Sequence, residues 1–188
     1  IDSVKVTSND DVIAIKSGIN EDGRAVGIPS SNIQVINSYF ESGHGLSIGS
    51  ETSGDIRDVM ISNNIMNGTE RGIRIKSQAG RGGIVERITY ENLNLIDIQT
   101  AVSITMEYTD DGHGQLPTFR DITLKNIQGN NIQEVGELVC EKNSVCTNMT
   151  FKDINLQIKE DGEDEYDKCQ YIEGSQENVV PEILCLNN

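Results

Sequence analysis

The chain has 188 residues, with 15 Lys and Arg against 30 Asp and Glu, and a formal net charge of −15. Phosphate contacts need clustered cations, so nucleic acid is excluded as a partner, and no apolar run approaches the ~20 residues of a membrane span. Eighteen Gly, no Trp and only 3 Pro favour short strands and tight turns over helices.

Taken in order, the first informative stretch is Asn9-Asp10-Asp11-Val12-Ile13-Ala14-Ile15-Lys16-Ser17-Gly18, a carboxylate pair at the mouth of an alternating apolar run. Alternation with period two is a strand signal. Gly43-His44-Gly45-Leu46-Ser47-Ile48 and Arg71-Gly72-Ile73-Arg74-Ile75-Lys76 have the same form, polar residues beside an apolar-x-apolar strand. Val102-x-Ile104 is a fourth member. A second series consists of Val4-Lys5-Val6 and of stretches starting at 35, 61, 90, 124 and 151, which are 26, 29, 34 and 27 residues apart. Two or more short strands repeated about every 30 residues describe a parallel β-solenoid, in which each coil stacks on the next at ~4.8 Å.

The third residue of the second series is Asn37, Asn63, Asn92 or Asn126, which predicts a stacked turn with αL backbone and amide-to-amide bonds. Asn20–Pro29 and Thr109–Thr118 break the regularity and are expected to be loops. The acidic tract from Lys159 to Lys168 lacks strand pattern. The expected organisation is a single β-helix domain over 1–188, with 157–188 an irregular acidic end tied by disulfides. Four cysteines, Cys140, Cys146, Cys169 and Cys185, have no metal-site spacing and are expected to pair 140–146 and 169–185. With the sequons at Asn67 and Asn148, they point to an oxidising, extracellular setting.

If the strands stack, Asp10, Asp11, His44, Arg74 and Lys76 gather on one surface, which suits acid–base chemistry on an anionic substrate. Each residue also has a plainer reading. Adjacent aspartates are often solvated turn residues, a lone histidine is often structural, and strand cations are often just exposed. Lys16 belongs to the first stretch, but alternation aims it elsewhere. A second Gly112-His113-Gly114 follows Asp110-Asp111 in an irregular loop and is read as coincidence.

In order, Asp10-Asp11-Val12-Ile13-Ala14-Ile15-Lys16-Ser17-Gly18, Gly43-His44-Gly45 and Arg74-Ile75-Lys76 resemble glycoside hydrolase family 28, the polygalacturonases and their relatives. Tyr108 occupies the place of a family tyrosine. The resemblance implies an all-β, right-handed parallel β-helix and inverting hydrolysis of α-1,4-galacturonan (pectin) without cofactor or metal. It implies Asp10 as general acid, Asp11 helping to activate water, and His44 tuning a carboxylate. Arg74, Lys76 and Tyr108 would bind substrate, and exo action is favoured over endo by the Asn20–Pro29 loop. The family's upstream N-T-D carboxylate would fall before Ile1, so the chain reads as the C-terminal portion of a longer, monomeric, secreted β-helix. A rhamnogalacturonan-type hydrolase and a pectin-binding solenoid of impaired activity remain open.

Overall fold

The computed structural model describes residues 1–109 and 112–186; Asp110 and Asp111, before the second Gly-His-Gly, lie outside the described residues. It is a right-handed parallel β-helix of about six coils. The first coil supplies β1 (Lys5–Thr7) and β2 (Ile13–Ile15). The second supplies β3 (Ser30–Ile36), β4 (Tyr39–Glu41) and β5 (Leu46–Gly49), and the third β6 (Ile56–Ser62), β7 (Ile65–Asn67) and β8 (Arg71–Lys76). The fourth holds β9 (Ile84–Ile96) and β10 (Thr100–Thr105). In the last coils the strands fuse around the corners into β11 (Thr118–Val139) and β12 (Cys146–Gln170), with β13 (Ile172–Val180) stacked on β12.

Every inter-coil ladder is parallel, and three faces result. One stacks β3, β6 and the first part of β9, and a second stacks β1, β4, β7 and the end of β9. The third stacks β2, β5, β8, β10 and the end of β11. Alternation places apolar side chains inside as ladders. Val35, Ile61, Tyr90, Leu124 and Phe151 form one; Leu46, Ile73 and Val102 form another. All are buried in one continuous core. The Tyr90 hydroxyl, inside that core, is pushed well above its usual pKa by desolvation.

The asparagine turn is present. Asn37, Asn63, Asn92 and Asn126 have φ of 54°, 57°, 53° and 51°. Asn126 Nδ2 donates to Asn92 Oδ1 at 2.6 Å, and Asn92 Nδ2 to Asn63 Oδ1 at 3.0 Å. Asn37 donates instead to Asp2. A second αL row, Asn32, Asp58, Arg87, Asp121 and Asn148, runs along the first face. Asn148, one of the two sequon asparagines, donates to Asp121 there, while Asn67 donates to the Tyr39 hydroxyl.

Two expectations are corrected. Residues 20–26 of the presumed loop form a short helix, α1 (Asn20–Val26), with Glu21 and Asp22 in its first turn and Gly27 (φ 59°) closing it. Gly23 lets it dock, because a Cβ there would lie 2.8 Å from the Ser53 Cβ. Arg24 clamps it to the Gly80 and Arg81 carbonyls. The acidic tract expected to be irregular is strand: Glu163, Tyr166 and Lys168 pair with Glu134, Gly136 and Glu137 of β11. Between Ile158 and Glu163 the register slips, so extra residues bulge outward and erase the alternation. Disulfides Cys140–Cys146 and Cys169–Cys185 both form, with Cα separations of 5.8 and 5.9 Å.

Asn92→Ala is expected to destabilise the chain by about 1–3 kcal/mol, through lost amide bonds and the αL penalty on a side chain with no local bond. Asn92→Gly escapes the penalty and should cost less. Urea titration of the three proteins separates the two contributions; equal losses would remove the αL one.

Candidate active site

Register on the third face is what assembles the site. Ala14, Ser47 and Arg74 are successive partners in the ladder, and Gly49 pairs with Lys76. Aspartates in the turn before β2 therefore sit beside side chains from two later coils. Gly43 and Gly45 make that approach possible. Both have positive φ (75° and 93°), and added Cβ atoms would lie 2.4 Å from the Asp10 carbonyl oxygen and 2.1 Å from that of Arg71. His44 N–H donates to the Asp10 carbonyl at 3.0 Å, fixing the imidazole against the aspartate turn.

Two clusters result. In the inner one, the Asp11 side chain is 10 % exposed, and its Oδ2 accepts from Lys76 Nζ at 2.9 Å. Its Oδ1 accepts from Ser47 Oγ at 2.5 Å and from Arg74 at 3.3 Å. Lys76 and Arg74 are 5 % and 12 % exposed. A buried carboxylate is tolerated only when paired and hydrogen-bonded, and here three donors meet it. In the outer cluster, Asp10 is 85 % exposed, with its Oδ1 at 3.0 Å from His44 Nδ1. His44 Nε2 lies 3.4 Å from Glu70 Oε2, so the imidazole bridges two carboxylates.

The Asp11 N–H donates to Asp10 Oδ1 at 2.7 Å. That bond, opposed by desolvation and reinforced by His44, holds the Asp10 carboxyl below its usual range. Burial raises the Glu70 carboxyl, but Arg71 and His44 outweigh it and leave Glu70 lowered.

All six expected residues stand in one region. Arg74 and Lys76 are largely buried and pair with Asp11. Tyr108, 40 % exposed, lies over the same two cations, its ring centre 5.7 Å from the Arg74 guanidinium carbon and 5.0 Å from Lys76 Nζ. Lys16 points away to Glu51 at 2.7 Å. Ser47 and Glu70 are site members that motif spacing did not single out. Repeat register would have found Ser47, because it falls on the row between Ala14 and Arg74. Asp10, Asp11 and His44 each offer a ligand atom within 4.8 Å of the others, a spacing that admits a metal ion. Ser47, Arg74 and Lys76 already occupy three of the acceptor positions of Asp11.

Residues 1–180 match the family described as glycosyl hydrolases family 28. The chain belongs to that family. It is 29 % identical over 164 residues to an endo-polygalacturonase of Pectobacterium carotovorum subsp. carotovorum, covering 82 % of this chain and 39 % of that protein. An exopolygalacturonase of Zea mays is 27 % identical over 197 residues, 98 % of this chain and 47 % of that one. The crystal structure of a hyperthermoactive exopolygalacturonase from Thermotoga maritima superposes with a TM-score of 0.83 at 27 % identity, over 96 % of this chain and 43 % of that one. The chain thus spans less than half the length of these relatives. Family members are matched by both endo- and exo-acting names, and the β-helix is common to this chain and its structural neighbour.

Removing one partner from the inner cluster should cost about 3–5 kcal/mol, the usual result of orphaning a buried charge. Lys76→Met and Asp11→Asn are each expected to destabilise strongly, and the double variant to lose less than the sum. A double-mutant cycle by chemical denaturation checks this; additive losses would show that the pair is not coupled.

Proposed function

We propose that this chain carries the acid–base and substrate-binding machinery of a polygalacturonase, acting on the α-1,4 linkages of galacturonan. The observation that carries the reading is the convergence of Asp10, Asp11, His44, Arg74 and Lys76 from three consecutive coils. Family membership supplies the reaction class. Asp10, the exposed member, donates the proton to the glycosidic oxygen. Asp11 polarises the attacking water. His44 positions the Asp10 carboxyl, and Glu70 positions His44. Arg74 and Lys76 share their positive charge between Asp11 and a substrate carboxylate, with the Tyr108 ring flanking both. Exo action is the preferred reading, supported by the exopolygalacturonase fold match. Two disulfides support a secreted setting.

A general acid must be protonated, and Asp10 in the free chain is held low. A sugar seated over the carboxyl removes water and displaces the Asp11 N–H bond, which raises it toward a working value. Inversion is the stereochemistry proposed. Inverting pairs stand ~6.5–9.5 Å apart to admit water, whereas Asp10 and Asp11 bring ligand oxygens within 4.8 Å. The exposed Asp10 side chain is therefore expected to rotate away from Asp11 as substrate binds. Proton NMR of the first product formed from the α-linked substrate decides: the β-anomer supports inversion, and the α-anomer overturns it.

Asp10→Asn is expected to lower release of reducing ends by about 10²–10⁴-fold, with the circular dichroism of the fold unchanged because the side chain is exposed. Parent-level activity in that variant would remove Asp10 from the mechanism. Binding of galacturonan without release of reducing ends by the parent would leave a pectin-binding role.

His44 contributes to lowering Asp10, and the free-protein acid sets one limb of the kcat/KM profile. That limb, on which activity falls as Asp10 loses its proton, should move to higher pH in His44→Ala. A shift to lower pH would contradict the contact.

A further inference from the structure

Near the site, two surfaces lead toward the later coils, and they differ in charge. Straight along the third face, Glu134, Glu137, Glu163, Glu165 and Asp167 line a recess of about 200 Å³, with Arg71 the one cation among its lining residues. Arg71 is already paired with Glu70. Glu134 and Glu137 accept from Thr100 and Ser103 at 3.0 and 2.9 Å, which holds their carboxylates on that surface. A polyanion laid there would meet like charge on the last two coils.

The second surface is a groove of about 630 Å³ along the corner between the second and third faces. It takes residues from all six coils, among them Asn9, His44, Glu70, Gln99, Gln133 and Lys159, and so runs parallel to the helix axis. Beyond Glu70 and Asp97 its chemistry turns neutral and then positive. Gln99 is exposed, and Gln133 is held by its bond to the Asp161 carbonyl at 3.1 Å. Lys159, half-buried at the far end, has no carboxylate within ion-pair distance among the described residues. Six of the eight lysines pair with an acid, and of the two that do not among the described residues, Lys142 and Lys159, the latter lines the groove.

We infer that Lys159 is a distal carboxylate-binding residue for an acidic polysaccharide lying in this corner groove, with the acidic recess beside it excluding the chain from the third face. The inference rests on the proposed function and extends it to the path of the substrate. Four coils separate His44 from Lys159, about 19 Å at the usual parallel-strand spacing. Only an oligomer long enough to bridge that span can use both ends. Gln99 and Gln133 offer amides to sugar hydroxyls between them, and a uronate carboxylate gives Lys159 its partner.

The test is binding of galacturonate dimer and octamer by calorimetry to the 188-residue chain, to Lys159→Gln, to Lys159→Glu, and to Lys142→Gln as an exposed-lysine control outside the groove. The expected result is octamer affinity about 3–10-fold weaker in Lys159→Gln, weaker again in Lys159→Glu, and unchanged in Lys142→Gln. Dimer affinity should not move in any variant. The octamer effect should fade with added salt, since the groove end is partly exposed. If the parent binds octamer no better than dimer, or if Lys159→Glu leaves octamer binding intact, the inference fails while the functional reading stands. If the parent binds neither, both fall.

Discussion

Parallel register between coils is the constraint on which everything else depends. Because each strand pairs with the one in the next coil, residues about thirty positions apart become neighbours at ~4.8 Å. The Ala14–Ser47–Arg74 row and the Gly49–Lys76 pair are consequences of that spacing. So is the reach of Lys76 to Asp11, 65 residues earlier, at 2.9 Å. A one-residue slip would send every side chain of a strand to the opposite face. The apolar ladder of Leu46, Ile73 and Val102 prevents this, so the same burial that stabilises the core fixes the site.

The asparagine row at one corner and the second αL row along the first face do related work. They let each coil turn in αL geometry and tie each turn to the next, Asn126 to Asn92 to Asn63. Their side-chain bonds lie at the surface and are individually modest. Their contribution is to keep successive coils in phase where no apolar contact can.

Much of this was legible in the sequence, because a solenoid writes its register as spacing. The strand series, the asparagine turns and the gathering of Asp10, Asp11, His44, Arg74 and Lys76 all follow from it, while the disulfide pairing was read from nearness in sequence. What was not legible lies where register gives no information. Helix α1 projects beyond a coil and is set by local packing of Gly23 on Ser53. The strand through Glu163 and Lys168 hides its alternation behind bulges. Glu70 carries no motif, and its role comes only from the position of the His44 ring. The division of labour between the two aspartates was also hidden. Nothing in Asp-Asp says which carboxylate turns inward, and the outcome depends on where Lys76 and Ser47 reach.

That division gives the site its logic. The inner aspartate is surrounded by donors and shielded by the Tyr108 ring over both cations, so its environment is fixed before any ligand arrives. Preorganised charge of this kind does its work without reorganisation cost. The outer aspartate has the opposite character, exposed and held by one backbone N–H and one imidazole. Its proton affinity is therefore open to change by whatever covers it. A strongly anionic surface would repel an anionic ligand on its own. The cations are accordingly concentrated beside Asp11, and under the proposed function a ligand carboxylate that approaches them is drawn over Asp10. On that reading, binding and the adjustment of the acid are one event, driven by the same small cluster of positive charge.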